Sequence, residues 1–292
     1  MTRLPSSLSN RLAIDLSGGL IRVVDGSLGG PMRCGSGGTP AGSLVEGKIR
    51  DVPAVASALR QLLARTEIND TRALIAVSDS LATFRVLKLQ PAATDEEVDA
   101  LVTRELQMDP QRMSTQWLDV TDGHPYRLVY AVAWDRSLIK GVVDAARLAG
   151  LDPVAVDLKS TCVARAVAEH ACVVLDTTTN PAEIVLIDGH VPQVWRSFRL
   201  DVAAGDEIGP FLAAPLRTVL SFYERRRDTE FSPSAPILVA GEQSLSARAS
   251  VALSKLLEHP VVPLPIPARV PAETRFATYL ACLGLLMRRG GA

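Results

Sequence analysis

The chain is short of aromatic residues, at 4% of 292 positions, and its formal charge is only −1. The first shortage means that any core is built mostly from Leu, Val and Ala. The second removes the electrostatic case for binding nucleic acid, and the run Arg225 to Arg227 reads as a solvated helix end. Cys34, Cys162, Cys172 and Cys282 form no CxxC pair, and His124, His170, His190 and His259 have no ligand spacing around them, so neither a structural zinc nor a disulfide framework is indicated. No apolar run approaches the ~20 residues that span a bilayer, and the first residues lack the apolar core of a signal peptide. A cytoplasmic protein is the expectation. What the chain does have is 47% apolar residues, enough for a sizeable core in one large domain or two ordinary ones.

The stretch Leu12 to Gly26, LAIDLSGGLIRVVDG, reads as a buried strand ending on Asp15, a tight turn of Ser17, Gly18 and Gly19, and a second strand from Leu20 to Val24. Such a hairpin suits phosphate. Glycines let the backbone approach an anion, Ser17 and the turn N–H groups can donate to it, and Arg22 adds positive charge. Asp15 could hold a metal through water. Taken alone, one such stretch reads sooner as an ordinary hairpin with Asp15 capping its own turn, since short glycine motifs are weak evidence.

A second copy shifts the balance. Val174 to Gly189, VLDTTTNPAEIVLIDG, repeats the order: apolar strand, Asp176, the hydroxyl run Thr177, Thr178 and Thr179, a β-rich strand from Ile184 to Ile187, then Asp188-Gly189. Two aspartate hairpins this far apart suggest two similar half-domains facing each other across a cleft.

Between the hairpins, the Gly-rich passage from Gly26 to Gly47 reads as loops around a weak strand. Asp51 is a plausible N-cap, with Pro53 in the first turn of a helix that carries Val52, Val55, Leu59, Leu62 and Leu63 on one face. Residues 71–151 have a different rhythm, ββαββα, and read as an inserted small subdomain whose helix opens on the capping box Thr94-Asp95-Glu96-Glu97. The expected division is therefore 1–70 for the first half, 71–151 for the insertion, 152–171 for the return, and 172–292 for a reduced second half. In that second half the helix Pro210 to Arg227, the strand Ile237 to Val239, a helix Leu245 to Leu257 and a Pro-rich crossing lead to a last helix, Ala272 to Arg289, that packs back on the first half.

This arrangement resembles the actin-like ATPase and FtsA superfamily and, more narrowly, PilM-like proteins of type IV pilus assembly. AIDLSGGLIRVVDG resembles the opening phosphate motif, EGKIRD the approach to the first helix, and FRVLKLQPAATDEEVDALVTREL the inserted subdomain; RLAGLDPVAVDLKSTCVARAV is similar to the return and LRTVLSFYERR to the helix before the adenosine motif. The resemblance implies an α/β, actin-like (ribonuclease H-like) two-half fold with an inserted α+β subdomain. It implies nucleotide contacts, if retained, at Asp15, Ser17, Gly18, Gly19, Arg22, Asp176, Thr177, Thr178, Thr179, Gly241 and Glu242. Magnesium would be held through water by Asp15 and Asp176 only if ATP binds.

The departures point away from catalysis. Thr178 stands where the family pattern has glycine, Ala182 or Glu183 where it has threonine, and Glu242 and Gln243 where it has further glycines. Only about a dozen residues separate Arg199 from the Pro210 helix, where the family places a helical subdomain. A shallower, wetter cleft stabilises a transferring phosphoryl group poorly. The expectation is a non-catalytic adaptor, with no cofactor or, in the alternative, ATP and magnesium. It would sit at the inner face of the inner membrane, peripheral through its partner, and bind the N-terminal cytoplasmic tail of a PilN-like membrane protein in the groove between the first half and the insertion. Candidate lining lies on Thr83 to Leu89 and Glu96 to Leu106, and homo-oligomerisation stays open. The competing reading is an active Mg-ATP switch or an FtsA-like filament.

Overall fold

The structure, a computed structural model, describes residues 11–121, 123–200, 208–227, 229–240, 253–271 and 274–288. It divides into two compact units, Met1–Cys162 with Ala281–Ala292, and Val163–Leu280.

The first unit begins with strands β1 (Arg11–Asp15), β2 (Leu20–Gly26) and β3 (Met32–Gly38), a meander of antiparallel neighbours. The short pair β4 (Leu44–Val45) and β5 (Lys48–Ile49) leads to helix α1 (Val52–Arg65), capped by the Asp51 side chain, which accepts from the Ala54 N–H at 2.9 Å. Strand β6 (Arg72–Val77) then runs parallel to β1. Next come β7 (Ala82–Leu89), α2 (Asp95–Glu105), β8 (Met113–Asp119) and β9 (Arg127–Asp135), followed by α3 (Arg136–Leu148), β10 (Asp152–Leu158) and α4 (Lys159–Ala166). The main sheet has the order β10-β6-β1-β2-β3. Leu12, Ile14, Leu59, Leu62, Ile75, Val142 and Ala146 share one core, which places α1 and α3 over the sheet.

Two expectations are revised here. The Gly-rich passage is an ordered strand, β3, because α1 crosses it closely: a Cβ on Gly35 would lie 2.2 Å from the Thr66 Cγ2, and one on Gly37 2.9 Å from the Arg65 Nη2. Glycine there serves packing, not looseness. The insertion is narrower than residues 71–151, since β6 is a central strand of the main sheet and α3 packs in its core. A strand buried on both faces reads as a continuous apolar run, as Ala73 to Val77 does. The separate module is β7, α2, β8 and β9, with its own core of Leu87, Val98, Val102, Leu106, Val129, Ala131 and Ala133. Its capping box is formed as expected, with Thr94 N–H donating to the Glu97 carboxylate at 2.8 Å and Glu97 N–H to the Thr94 hydroxyl at 3.3 Å.

The second unit repeats the plan. Strands β11 (Ala171–Asp176), β12 (Ala182–Asp188) and β13 (Val191–Phe198) form a meander, α5 (Ile208–Arg227) crosses the sheet, and β14 (Ile237–Ala240) lies parallel to β11. Strand β15 (Val261–Pro263), inside the Pro-rich crossing, adds to β14 as an edge, where proline is tolerated. The order β13-β12-β11-β14-β15 matches that of the first sheet strand for strand. Of the expected helix Leu245 to Leu257, residues 253–257 are helical and the rest lie outside the described residues. The last helix, α6 (Leu280–Leu286), is shorter than expected, with turns at 276–279. It belongs to the first unit from Ala281 onward, where a Cβ on Gly284 would fall 1.9 Å from the Cys162 carbonyl oxygen of α4.

Candidate functional site

Both aspartate hairpins close in the same way. In the first, the Asp15 Oδ1 accepts from the Ser17 N–H at 2.9 Å and the Ser17 hydroxyl at 2.6 Å. In the second, the Asp176 Oδ1 accepts from the Thr178 N–H at 2.9 Å and the Thr178 hydroxyl at 2.6 Å. The next main-chain bond is also shared: Leu16 N–H reaches the Ala76 carbonyl at 2.9 Å, and Thr177 N–H the Ala240 carbonyl at 2.7 Å. Each turn is thus an Asx turn anchored to the neighbouring parallel strand.

The cross-strand partners differ. Asp15 faces Arg22, and their side chains form a buried ion pair at 3.4 Å. Asp176 faces Glu183, and both are buried, at 3% and 7% exposure. Cys282 of α6 donates to the Arg22 carbonyl at 3.5 Å, and burial next to the Asp15 charge pushes its thiol well above the ordinary range.

These bonds bear on the expected phosphate contacts. The Arg22 guanidinium is not presented to solvent: the residue is 2% exposed and paired with Asp15, so the positive charge expected of it is turned into the unit. All four hydroxyls are committed within the protein, Ser17 to Asp15, Thr178 to Asp176, Thr177 to the Ala240 carbonyl at 3.1 Å, and Thr179 to the Pro181 carbonyl at 3.1 Å. Among the described residues no group of three or more His, Cys, Asp or Glu could hold a metal. Gly18 and Gly19 are partly or fully exposed, and a Cβ on Gly18 would meet nothing within 4 Å. Gly241 and Glu242 lie outside the described residues.

Further polar residues gather at this edge of the first sheet that sequence patterns missed. Strands β1, β6 and β10 are parallel, so their C-terminal ends share one side, the side where open α/β sheets hold ligands. Asp79 follows β6, is 2% exposed, and accepts from both the N–H (2.9 Å) and the hydroxyl of Ser160 at the start of α4. Lys159, the residue before Ser160, is also buried, and Asp157 pairs with Arg288 at 3.5 Å. The signal was available: Asp79 and Lys159-Ser160 are polar residues placed directly after apolar strands.

The module meets the first core through β7 and β9. Phe84 and Val132 pack on that core, the Phe84 and Tyr130 rings lie 5.8 Å apart, and the Tyr130 hydroxyl is 3.3 Å from that of Thr161. Of the expected groove lining, the apolar face of α2 is instead the module's own core. An open cavity of about 450 Å³ lies on the module between Pro91, Asp119, Thr121, His124, Tyr126 and Arg127.

No protein-family model and no curated protein matches the chain in sequence. Solved structures match in shape. The PilM–PilN type IV pilus biogenesis complex aligns with 94% of this chain and 97% of its own, at TM-score 0.72 and 20% identity. The cytoplasmic domain of EpsL, an inner-membrane component of the type II secretion system of Vibrio cholerae, aligns with 96% of each chain at TM-score 0.54 and 11% identity. A Bacteroides thetaiotaomicron protein with an actin-like ATPase fold aligns with 99% of this chain and 100% of its own, at 0.52 and 11%. The fold is therefore α/β and actin-like, as the resemblance implied. Among the described residues no helix is long and apolar enough to cross a membrane.

Proposed function

We propose that this chain is a PilM-like actin-fold scaffold of a type IV pilus or related secretion machine, which binds the cytoplasmic N-terminal tail of a PilN-like inner-membrane protein and has weak or no hold on nucleotide. The observation that carries the proposal is the likeness to the PilM–PilN structure. It spans nearly the whole of both chains at TM-score 0.72, against 0.52 and 0.54 for an actin-like fold protein and a type II secretion component. Phe84 and Tyr130 of the module and Thr161 of α4 stand together where the module meets the first core, and an extended tail lying beside them would be held by main-chain bonds and a few apolar pockets. Location at the inner face of the inner membrane follows from that partner.

Weak nucleotide binding is supported by the closed hairpins. Opening either one for a phosphate means breaking a hydroxyl–carboxylate bond, and freeing Arg22 means breaking its ion pair with Asp15. The competing reading, a Mg-ATP switch, is favoured by Gly18, whose missing side chain nothing within 4 Å requires and which would let a ligand approach the main chain. Calorimetric titration separates the two. Binding of the partner's tail peptide, unaffected by Mg-ATP, is expected. Micromolar nucleotide binding, with turnover that Asp15→Ala abolishes, would replace the scaffold by the switch.

A further inference from the structure

The module's sheet runs β7-β9-β8, so β7 and β8 are both edges. They are not alike. Edge β7 carries Arg85 and Lys88, the kind of charge that discourages a further strand, whereas β8 has no charge between Arg112 and Asp119.

The phase of the β8–β9 ladder fixes which main-chain groups of β8 are free. Val120 N–H donates to the Leu128 carbonyl at 2.8 Å and Arg136 N–H to the Arg112 carbonyl at 3.0 Å, so even-numbered residues of β8 bond to β9. Odd-numbered residues turn their N–H and C=O outward, because bonded and non-bonded pairs alternate along an antiparallel ladder. Met113 has found partners for both groups, its N–H giving to the Asp109 carbonyl at 2.8 Å and its carbonyl accepting from Arg136 at 2.9 Å. For Thr115 and Trp117 no outward main-chain bond reaches another described residue. Their side chains do not screen the edge: Thr115 is exposed, and the Trp117 ring is turned to α2, where its Nε1 donates to Asp99 at 2.7 Å. What is left open is a short uncharged strip of β-strand donors and acceptors, spaced to pair with another strand.

We propose that this edge pairs with the same edge of a second copy of the chain, antiparallel about Gln116, so that two three-stranded sheets become one of six. In this register Thr115 and Trp117 of one copy exchange their main-chain bonds with Trp117 and Thr115 of the other. Gln116 faces its own counterpart at a non-bonded position, where the side chains come closest, and Ser114 faces Leu118, which is 47% exposed in the single chain. No like charges are opposed: Arg112 falls opposite Val120 and Asp119 opposite Met113. The strand is thus complementary to itself, as a two-fold interface requires. The inference does not depend on the function proposed above.

Sedimentation velocity over a range of concentrations tests it. The full chain should pass from monomer to twice that mass as concentration rises. Gln116→Lys and Gln116→Glu should each stay monomeric, with melting temperatures close to that of the parent, and an equimolar mixture of the two should dimerise again. Thr115→Pro, which removes an N–H that bonds to no other described residue, should also be monomeric. A parent that stays monomeric throughout would leave the edge to a strand of another protein and overturn the proposal. So would charge variants that dimerise alone, or a mixture that fails to restore the dimer.

Discussion

The two five-stranded sheets share strand order, the Asx turn and the bond that follows it, yet they differ in what faces the aspartate across the hairpin: Arg22 opposite Asp15 in one, Glu183 opposite Asp176 in the other. What has been kept in both halves is the geometry of the main chain. What has diverged is the charge within it. An aspartate that caps its own turn survives for a structural reason, so its presence in both halves is not evidence that either half grips a ligand.

The sharpest way to break the comparison is to neutralise each aspartate in turn. In Asp15→Asn the side-chain oxygen still accepts from Ser17, but Arg22 loses its buried carboxylate, which is expected to cost about 3 kcal/mol. In Asp176→Asn the turn is likewise kept, and one of two facing carboxylates is discharged, so the change should stay within about 1 kcal/mol. Urea unfolding of the pair measures the difference. Equal losses would show that the cross-strand partner does not matter and that the turn alone is at stake.

Removing the hydroxyls tests the part that is shared. Ser17→Ala and Thr178→Val each delete a 2.6 Å bond to a buried carboxylate and should cost about 1.5 kcal/mol apiece, because the acceptor is charged. The two costs are expected to agree within about 0.5 kcal/mol, judged by the same unfolding experiment. If the phosphate contacts are in fact live, these variants would instead leave stability almost unchanged and weaken nucleotide binding.

Much of this was legible in the sequence. The repeat of Asp15 and Asp176, the caps at Asp51 and Thr94, and the apolar faces of α1 and α5 follow from spacing alone, since they depend on local chemistry. What was hidden depends on contacts across the chain. Glycines 35 and 37 look like a loop until α1 is laid over them, and β6 looks like part of an insertion until β1 and β10 flank it. Nor could sequence show that Arg22 points into the unit. Helix ends were hidden for another reason: Glu67, Gln107 and Glu258 take the left-handed conformation, with φ of 53°, 49° and 56°, where glycine would have signalled the stop.

That last set allows a transplant between the halves. The segment 253–257 ends on Glu258, and α3 ends on Gly150, with φ of 90°, at the matching place before an edge strand. Glu258→Gly should relieve left-handed strain worth about 1 kcal/mol, less a few tenths for the greater freedom of the unfolded chain. The net gain, read as a melting temperature higher by about 2 °C, would make the second unit's stop chemically equal to the first's. A loss would mean that the glutamate side chain holds a contact which the glycine cannot replace.

The smallest effect sharpens the comparison furthest from the hairpins. Arg60 of α1 donates to the Leu148 carbonyl at the end of α3 at 2.7 Å, and Arg217 of α5 donates to the Leu256 carbonyl at the end of the next helical segment at 2.8 Å. Leu148 and Leu256 stand two residues before the left-handed Gly150 and Glu258, so the clasp is repeated in the same place. It satisfies a terminal carbonyl and sets a cation against the negative end of a helix. Both arginines are exposed, so Arg60→Ala and Arg217→Ala should cost about 0.5 kcal/mol each. Because the clasp acts at a helix end, amide exchange should quicken in the last turn of each second helix and nowhere else. If only one half responds, the clasp does not hold the helix end in the other.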